Sequence, residues 1–174
     1  MGDETLYATK GYLSIVRWCD PSINLASYIV QRTLSVGGDT AKAGDVMSSD
    51  GETIGLVDVA AEADVQIAGI LMGPTSPGDN YDLDDVIVDG TTVDILRPTG
   101  GRTMVSVILD STATTSADIE EFDWVRVGNT AGHVELFVYT DAADSTDTME
   151  IIVGKAAEVM ANHTADDRVM AIWY

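Results

Sequence analysis

Apolar residues along this chain recur mostly at every second position, in short runs closed by Gly, Asp, Asn or Pro. That period is the one a half-buried β-strand requires, because successive side chains point to opposite faces. In residues 103–109, Val105, Val107 and Leu109 alternate with Met104, Ser106 and Ile108. Residues 133–139 place Val134, Leu136 and Val138 on one side, residues 149–156 turn Ile151 and Val153 inward, and residues 168–174 group Val169, Ala171 and Trp173. The clearest grammar lies in residues 43–72. A turn at Ala43-Gly44-Asp45 opens onto Val46-Met47, and a second turn at Ser49-Asp50-Gly51 leads to a β-rich run over 54–60. Ala63-Asp64 then precedes another run over 65–72. Such a stretch predicts an antiparallel meander. A further strand over 28–36 ends at Gly37-Gly38-Asp39. No segment carries a helical period over normal helix length. About ten short strands predict an all-β, barrel-like or sandwich domain.

Breakers divide the rest. Residues 73–80 hold two prolines and two glycines and read as a surface loop. Val86-Ile87-Val88, the turn pair Asp89-Gly90 and the run over 91–96 predict a hairpin, so the region around 73–103 reads as a loop and hairpin insertion. Residues 1–24 lack a sustained period and read as an extended N-terminal arm, with the barrel-like domain spanning 25–174. Gly44-Asp45-Val46 returns in altered form as Phe122-Asp123-Trp124-Val125, and Val65-Gln66-Ile67-Ala68-Gly69 as Glu150-Ile151-Ile152-Val153-Gly154. Two imperfect copies are also what the common rhythm of hairpins yields, and that is the reading adopted from sequence.

The 174 residues suffice for one sizeable β domain, whereas two small ones would each be marginal. Apolar residues at 45% are incompatible with a mainly disordered chain despite a net charge of −20. Aspartate supplies 21 of the 29 acidic residues, and Lys10, Lys42 and Lys155 are the only lysines. So few cations cannot neutralise a phosphate backbone, which argues against nucleic acid as a partner. Aspartate-rich, lysine-poor surfaces also suit very salty surroundings, where screening removes self-repulsion, so a halophilic source is one reading of the charge and an ordinary soluble acidic surface the other. The acidic N-terminal residues and the lack of a long apolar run predict neither a secretory signal nor a transmembrane helix, and hence a soluble product made in the cytoplasm.

Candidate chemistry is sparse. Cys19 has no partner cysteine and reads as a small apolar side chain. His133 and His163 lack a second ligand at zinc spacing, and no Gly-x-Ser-x-Gly elbow accompanies them, so neither a zinc site nor an enzyme is expected. Calcium favours clustered oxygen ligands, which makes Asp79, Asp82, Asp84 and Asp85, and separately Asp141, Asp144 and Asp147, the two places to look for one. Neither fits the EF-hand loop, and a chain this rich in Asp clusters them by composition. The reading is therefore solvated loop charge, with no cofactor. Tyr7, Tyr12, Leu13, Ile15 and Trp18 concentrate large apolar side chains in the arm and are the candidate interaction residues.

The segments Ala41-Lys42-Ala43-Gly44-Asp45-Val46, Asp64-Val65-Gln66-Ile67-Ala68-Gly69-Ile70-Leu71 and Ile151-Ile152-Val153-Gly154-Lys155-Ala156 resemble those of the head-decoration, or capsid cement, proteins of tailed viruses. In those small β-barrel proteins a Gly-Asp-Val turn, an Ile-Ala-Gly-Val type strand and a late Ile-Gly-Lys-Ala type strand recur. This chain departs from them at Phe122-Asp123, where Gly-Asp is usual. The resemblance implies a structural virion protein on the outer capsid surface, often trimeric, that bridges major capsid protein subunits. The other class compatible with the sequence is a fibre, turret or baseplate module that recognises a host surface glycan.

Overall fold

The computed structural model describes residues 15–49, 55–60, 66–77, 81–110, 119–137, 152–158 and 168–174. Among them are eleven strands: β1 Val16–Cys19, β2 Ile29–Leu34, β3 Val46–Ser49, β4 Leu56–Val59, β5 Ile67–Pro74, β6 Thr92–Leu96, β7 Thr103–Ile108, β8 Trp124–Val127, β9 Val134–Leu136, β10 Ile152–Ala156 and β11 Arg168–Trp173. The helical element described is a single 3-10 turn, Leu25–Tyr28, capped by the Asn24 side chain. The all-β architecture expected from the two-residue period is thus present.

Five strands form a closed barrel in the order β2-β4-β3-β5-β6, and the others form a six-stranded sheet in the order β1-β7-β11-β10-β8-β9. These two sheets are built alike. In the barrel β2 runs parallel to β4, pairing Leu34 with Val57, and every other contact is antiparallel. In the six-stranded sheet the end of β7 reaches β9 through a parallel bridge from Leu109 to Val134. The circuit β7-β9-β8-β10-β11 therefore repeats β2-β4-β3-β5-β6 strand for strand, with β1 added along the first half of β7. Register agrees as well as order. Met47 opposes Gly69 as Val125 opposes Gly154, and both β3–β5 and β8–β10 carry a register shift beside that glycine. A Cβ on either glycine would lie within 2.4 Å of the facing backbone carbonyl, so each bulge needs a residue without a side chain.

The entry turns match too. The backbone N–H of Lys42 donates to Asp45 Oδ2 and that of Asp45 to the Lys42 carbonyl; the N–H of Glu120 donates to Asp123 Oδ2 and that of Asp123 to the Glu120 carbonyl. The residue before each aspartate has positive φ, 99° at Gly44 and 75° at Phe122. The chain is therefore an internal repeat, and the reading of these segments as mere hairpin rhythm is overturned. Phe122 stands where the first repeat has Gly44, yet the turn geometry is the same.

Each repeat has its own interior. Leu34, Met47, Val57, Leu71, Val93 and Ile95 fill the barrel. Val105, Val107, Val125, Val134, Val169 and Trp173 fill the second repeat and, with Val46, Ile70 and Leu96 on the outside of the barrel, make one continuous core. Alternation explains the split: Met47, Leu71 and Ile95 point into the barrel, and their chain neighbours Val46, Ile70 and Leu96 point out of it onto the second repeat.

Two expectations need correction. The region 73–103 is not an insertion carrying a hairpin, because Thr92–Leu96 is the strand that closes the barrel, pairing with both β2 and β5. Of its supposed partner, only Ile87 makes a ladder contact, a lone bridge to Ala41. The Asp89-Gly90 turn is used instead to fasten the loop, Asp89 Oδ1 accepting from the Val36 N–H and Gly90 N–H donating to the Leu34 carbonyl. Likewise residues 16–19 are not free arm; they are the edge strand β1 on β7.

Candidate assembly face

The outward positions of the six-stranded sheet line up across it. Trp18 lies opposite Met104, Met104 opposite Ile172, Ile172 opposite Lys155, and Lys155 opposite Trp124. Residues directly opposite in a ladder share a face, so these five side chains form one transverse row over β1, β7, β11, β10 and β8. Trp18 is 47% exposed and Trp124 39%, and Met104, Ile172 and Lys155 are half-buried. Lys155 Nζ stands 4.3 Å from the Trp124 ring centroid, and the Tyr174 ring packs against the same indole with centroids 5.7 Å apart and planes tilted by 49°. An ammonium over an aromatic face is held by the ring quadrupole, which keeps one of the few lysines on this face rather than in solvent.

Charge sets the row apart. No carboxylate occurs in it, on a chain of net charge −20. Glu135 on the neighbouring row is engaged by Arg126, directly opposite it, at 2.5 Å. Phe122, at the entry to β8, adds a ring that is 57% exposed. An L-residue in the left-handed region is disfavoured by about 1 kcal/mol, so an exposed phenylalanine there is an outlier of the kind that clusters at functional sites.

Behind this face a polar clasp joins the repeats. Gly132 lies in the β8–β9 turn; its carbonyl accepts from Val46 N–H and its N–H donates to the Ala60 carbonyl. Asp45 is buried, with His133 Nε2 3.8 Å from Oδ1, and Gly132 packs so closely on its carboxylate that a Cβ there would clash. Fully buried Asp110 accepts from the backbone N–H and hydroxyl of Thr130 and holds the other end of the turn. Arg168 donates to the carbonyls of Ala43 and Leu83 and pairs with Asp84 at 2.9 Å.

Of the candidate interaction residues, Trp18 stands in the exposed row. Ile15 is fully buried in this chain's own core, and Tyr7, Tyr12 and Leu13 lie outside the described residues. Sequence reasoning missed Met104, Ile172, Lys155, Trp124 and Tyr174. A signal was present in Trp124-Val125-Arg126-Val127, where the indole shares its parity with Arg126 and not with the core valines.

In the first acidic loop Asp82 Oδ1 and Asp85 Oδ2 accept from backbone N–H groups of their own turn, and Asp84 is taken by Arg168. Asp79, Asp141, Asp144 and Asp147 lie outside the described residues, among which no group of three or more His, Cys, Asp or Glu side chains converges. Burial, and then the Asp20 charge, push the Cys19 thiol up, which favours its protonated form. Hydrogen bonds from Ser22, the backbone one foremost, hold Asp20 below the usual carboxylate range. A scan against protein-family models and a search of curated proteins return no match to the chain.

Proposed function

We propose that this protein is a structural assembly subunit that decorates the outside of an icosahedral viral shell and ties major capsid protein subunits together. The row Trp18–Met104–Ile172–Lys155–Trp124 carries the assembly part of the reading. Two exposed tryptophans aligned across a sheet with half-buried Met104 and Ile172, free of carboxylates on an otherwise acidic chain, have the composition of an interface centre, where aromatic residues are enriched and acidic ones depleted. The shell as the setting comes from the resemblance of the Gly-Asp-Val turn and the two glycine-bulge strands to decoration proteins. Tyr7, Tyr12 and Leu13 precede β1 in the sequence and are the proposed shell anchors.

One observation favours a second reading. Trp124 flanked by Tyr174 and Lys155 is a tilted aromatic pair with a cation, suited to stacking on a sugar ring, as a glycan-binding fibre or turret module would need. Quantifying copies per purified particle separates the two. Decoration requires occupancy spread over the whole shell, glycan recognition requires few copies at a vertex or tail, and absence from particles overturns both.

A further inference from the structure

The turn between β8 and β9 serves the first repeat more than its own. Register equates it with the β3–β4 turn: Val134 pairs with Leu109 as Val57 does with Leu34, so Gly132 corresponds to Gly55, and both have positive φ, 83° and 93°. Gly55 closes its own barrel, its carbonyl accepting from the Thr33 N–H. Gly132 does not. Its carbonyl accepts from the Val46 N–H and its N–H donates to the Ala60 carbonyl, so this part of the second circuit is given over to the first repeat. The lack of a side chain lets the backbone come down on Asp45, since a Cβ on Gly132 would lie 2.9 Å from Asp45 Cγ. The next residue, His133, is carried to the same carboxylate.

Three features make that meeting sensitive to a proton. His133 Nε2 stands 3.8 Å from Asp45 Oδ1, within ion-pair reach once the imidazole is charged. Asp45 Oδ2 accepts from the Lys42 N–H at 2.7 Å, a bond that favours the ionised carboxylate. The carboxylate side chain is 3% exposed and the imidazole 15%, so water and salt screen the pair little, and attraction outweighs the partial burial of the ring. The other charged groups around the turn are engaged. Arg168, at the start of β11, donates to the Ala43 and Leu83 carbonyls and pairs with Asp84, and Asp110, after β7, accepts from Thr130. Arg126 and Glu135 pair across β8 and β9, and Asp58 on β4 accepts from the Val59 N–H. Tyr81 lies within the fields of Asp85, Arg168, Asp82 and Asp45. Of all these groups, His133 is the one whose ordinary titration falls between about pH 5 and 8.

We propose that His133 and Asp45 form a proton-controlled clasp between the two repeats, closed while the imidazole is charged and slackened when it gives up its proton. A fold that favours the charged form holds the proton more tightly than the unfolded chain does. The clasp's contribution is therefore whole below about pH 6.5, the ordinary imidazole value, and is lost as pH rises through the folded-state value. This device does not depend on what the exposed row binds.

The test uses the full chain in molar KCl, which suppresses surface electrostatics and leaves a buried pair largely intact. Imidazole proton resonances are followed by NMR through the same pH range, with His163→Gln assigning the two histidines and the chain unfolded in urea as reference. His133 should hold its proton about tenfold more tightly in the folded protein than in the unfolded one, and Asp45→Asn should abolish that excess. Thermal melts of wild type and His133→Gln supply a second readout that needs no Asp45 variant. The gap between their midpoints should be widest at acid pH and close as pH rises. A folded-state affinity equal to or below that of the unfolded chain overturns the proposal, as does an excess that survives Asp45→Asn, or a gap that stays constant or widens toward alkaline pH.

Discussion

Asp45 and Asp123 occupy the same turn in the two repeats, and replacing each by Ala separates what the turn is worth from what its surroundings add. Both carboxylates accept a backbone N–H three residues back, over 2.7 Å at Lys42 and 2.9 Å at Glu120. A side chain capping a backbone N–H in this way contributes about 1 kcal/mol, and Asp123→Ala, at a half-buried site where water replaces the lost acceptor, should cost about that. Asp45 is 2% exposed, sits beside His133 and has Gly132 packed on its carboxylate. Its removal strips the same turn bond, leaves polar groups of a buried clasp without their acceptor, and opens a hole between the repeats. Breaking a buried charged network costs about 3–5 kcal/mol, so Asp45→Ala should lose roughly three times as much stability as Asp123→Ala. Asp45→Asn, which keeps an acceptor and the volume, should recover part of it. Urea titrations followed by tryptophan fluorescence, all in the same molar salt, give the three values. Equal losses for the two alanine variants would refute the reasoning, because they would mean that the turn alone sets the effect and that the repeats are not clasped through Asp45.

Other outcomes follow from single features. Ile15→Ala should destabilise by about 2–5 kcal/mol, as for a large buried aliphatic, and deleting residues 1–20, which removes both Ile15 and β1, should unfold the second repeat; an unchanged melt for Ile15→Ala would contradict the assignment of Ile15 to the core. Burial, and then the Asp85 charge, push the Tyr81 phenol up to about 12, above its ordinary value of 10.0. The unfolded chain then loses this proton first, so the contribution is whole below pH 10, falls as pH rises through the folded value, and should vanish from the stability profile in Tyr81→Phe. The Tyr81 hydroxyl has no hydrogen-bond partner among the described residues, so the same variant should be neutral or slightly stabilising at pH 7. With a net charge of −20, the melting midpoint should climb steeply from dilute buffer to molar KCl, and a flat midpoint would remove the halophilic reading.

The two-residue period by itself determined the strand content and which residues share a face, since alternation groups Val105 with Val107 and Val169 with Ala171 and Trp173, and it is these faces that are buried. Local turn chemistry was equally legible at Gly44-Asp45, where a positive φ and an aspartate acceptor are needed within a few residues of one another. Partner choice was not. Nothing local distinguishes Asp89-Gly90 as a hairpin turn from the same pair pinning a loop to Val36, because the decision rests with which distant strand claims Thr92–Leu96, and β2 and β5 claim it. The internal repeat was hidden for a related reason. Closing the second circuit depends on one parallel bridge between Leu109 and Val134, and the glycine that would have advertised the second turn is Phe122. The exposed row, too, was a tertiary outcome. Alternation places Val46 and Trp124 on the outside of equivalent strands without saying which outside is covered, and only the packing of the first repeat on the second buries Val46 and leaves Trp124 in solvent.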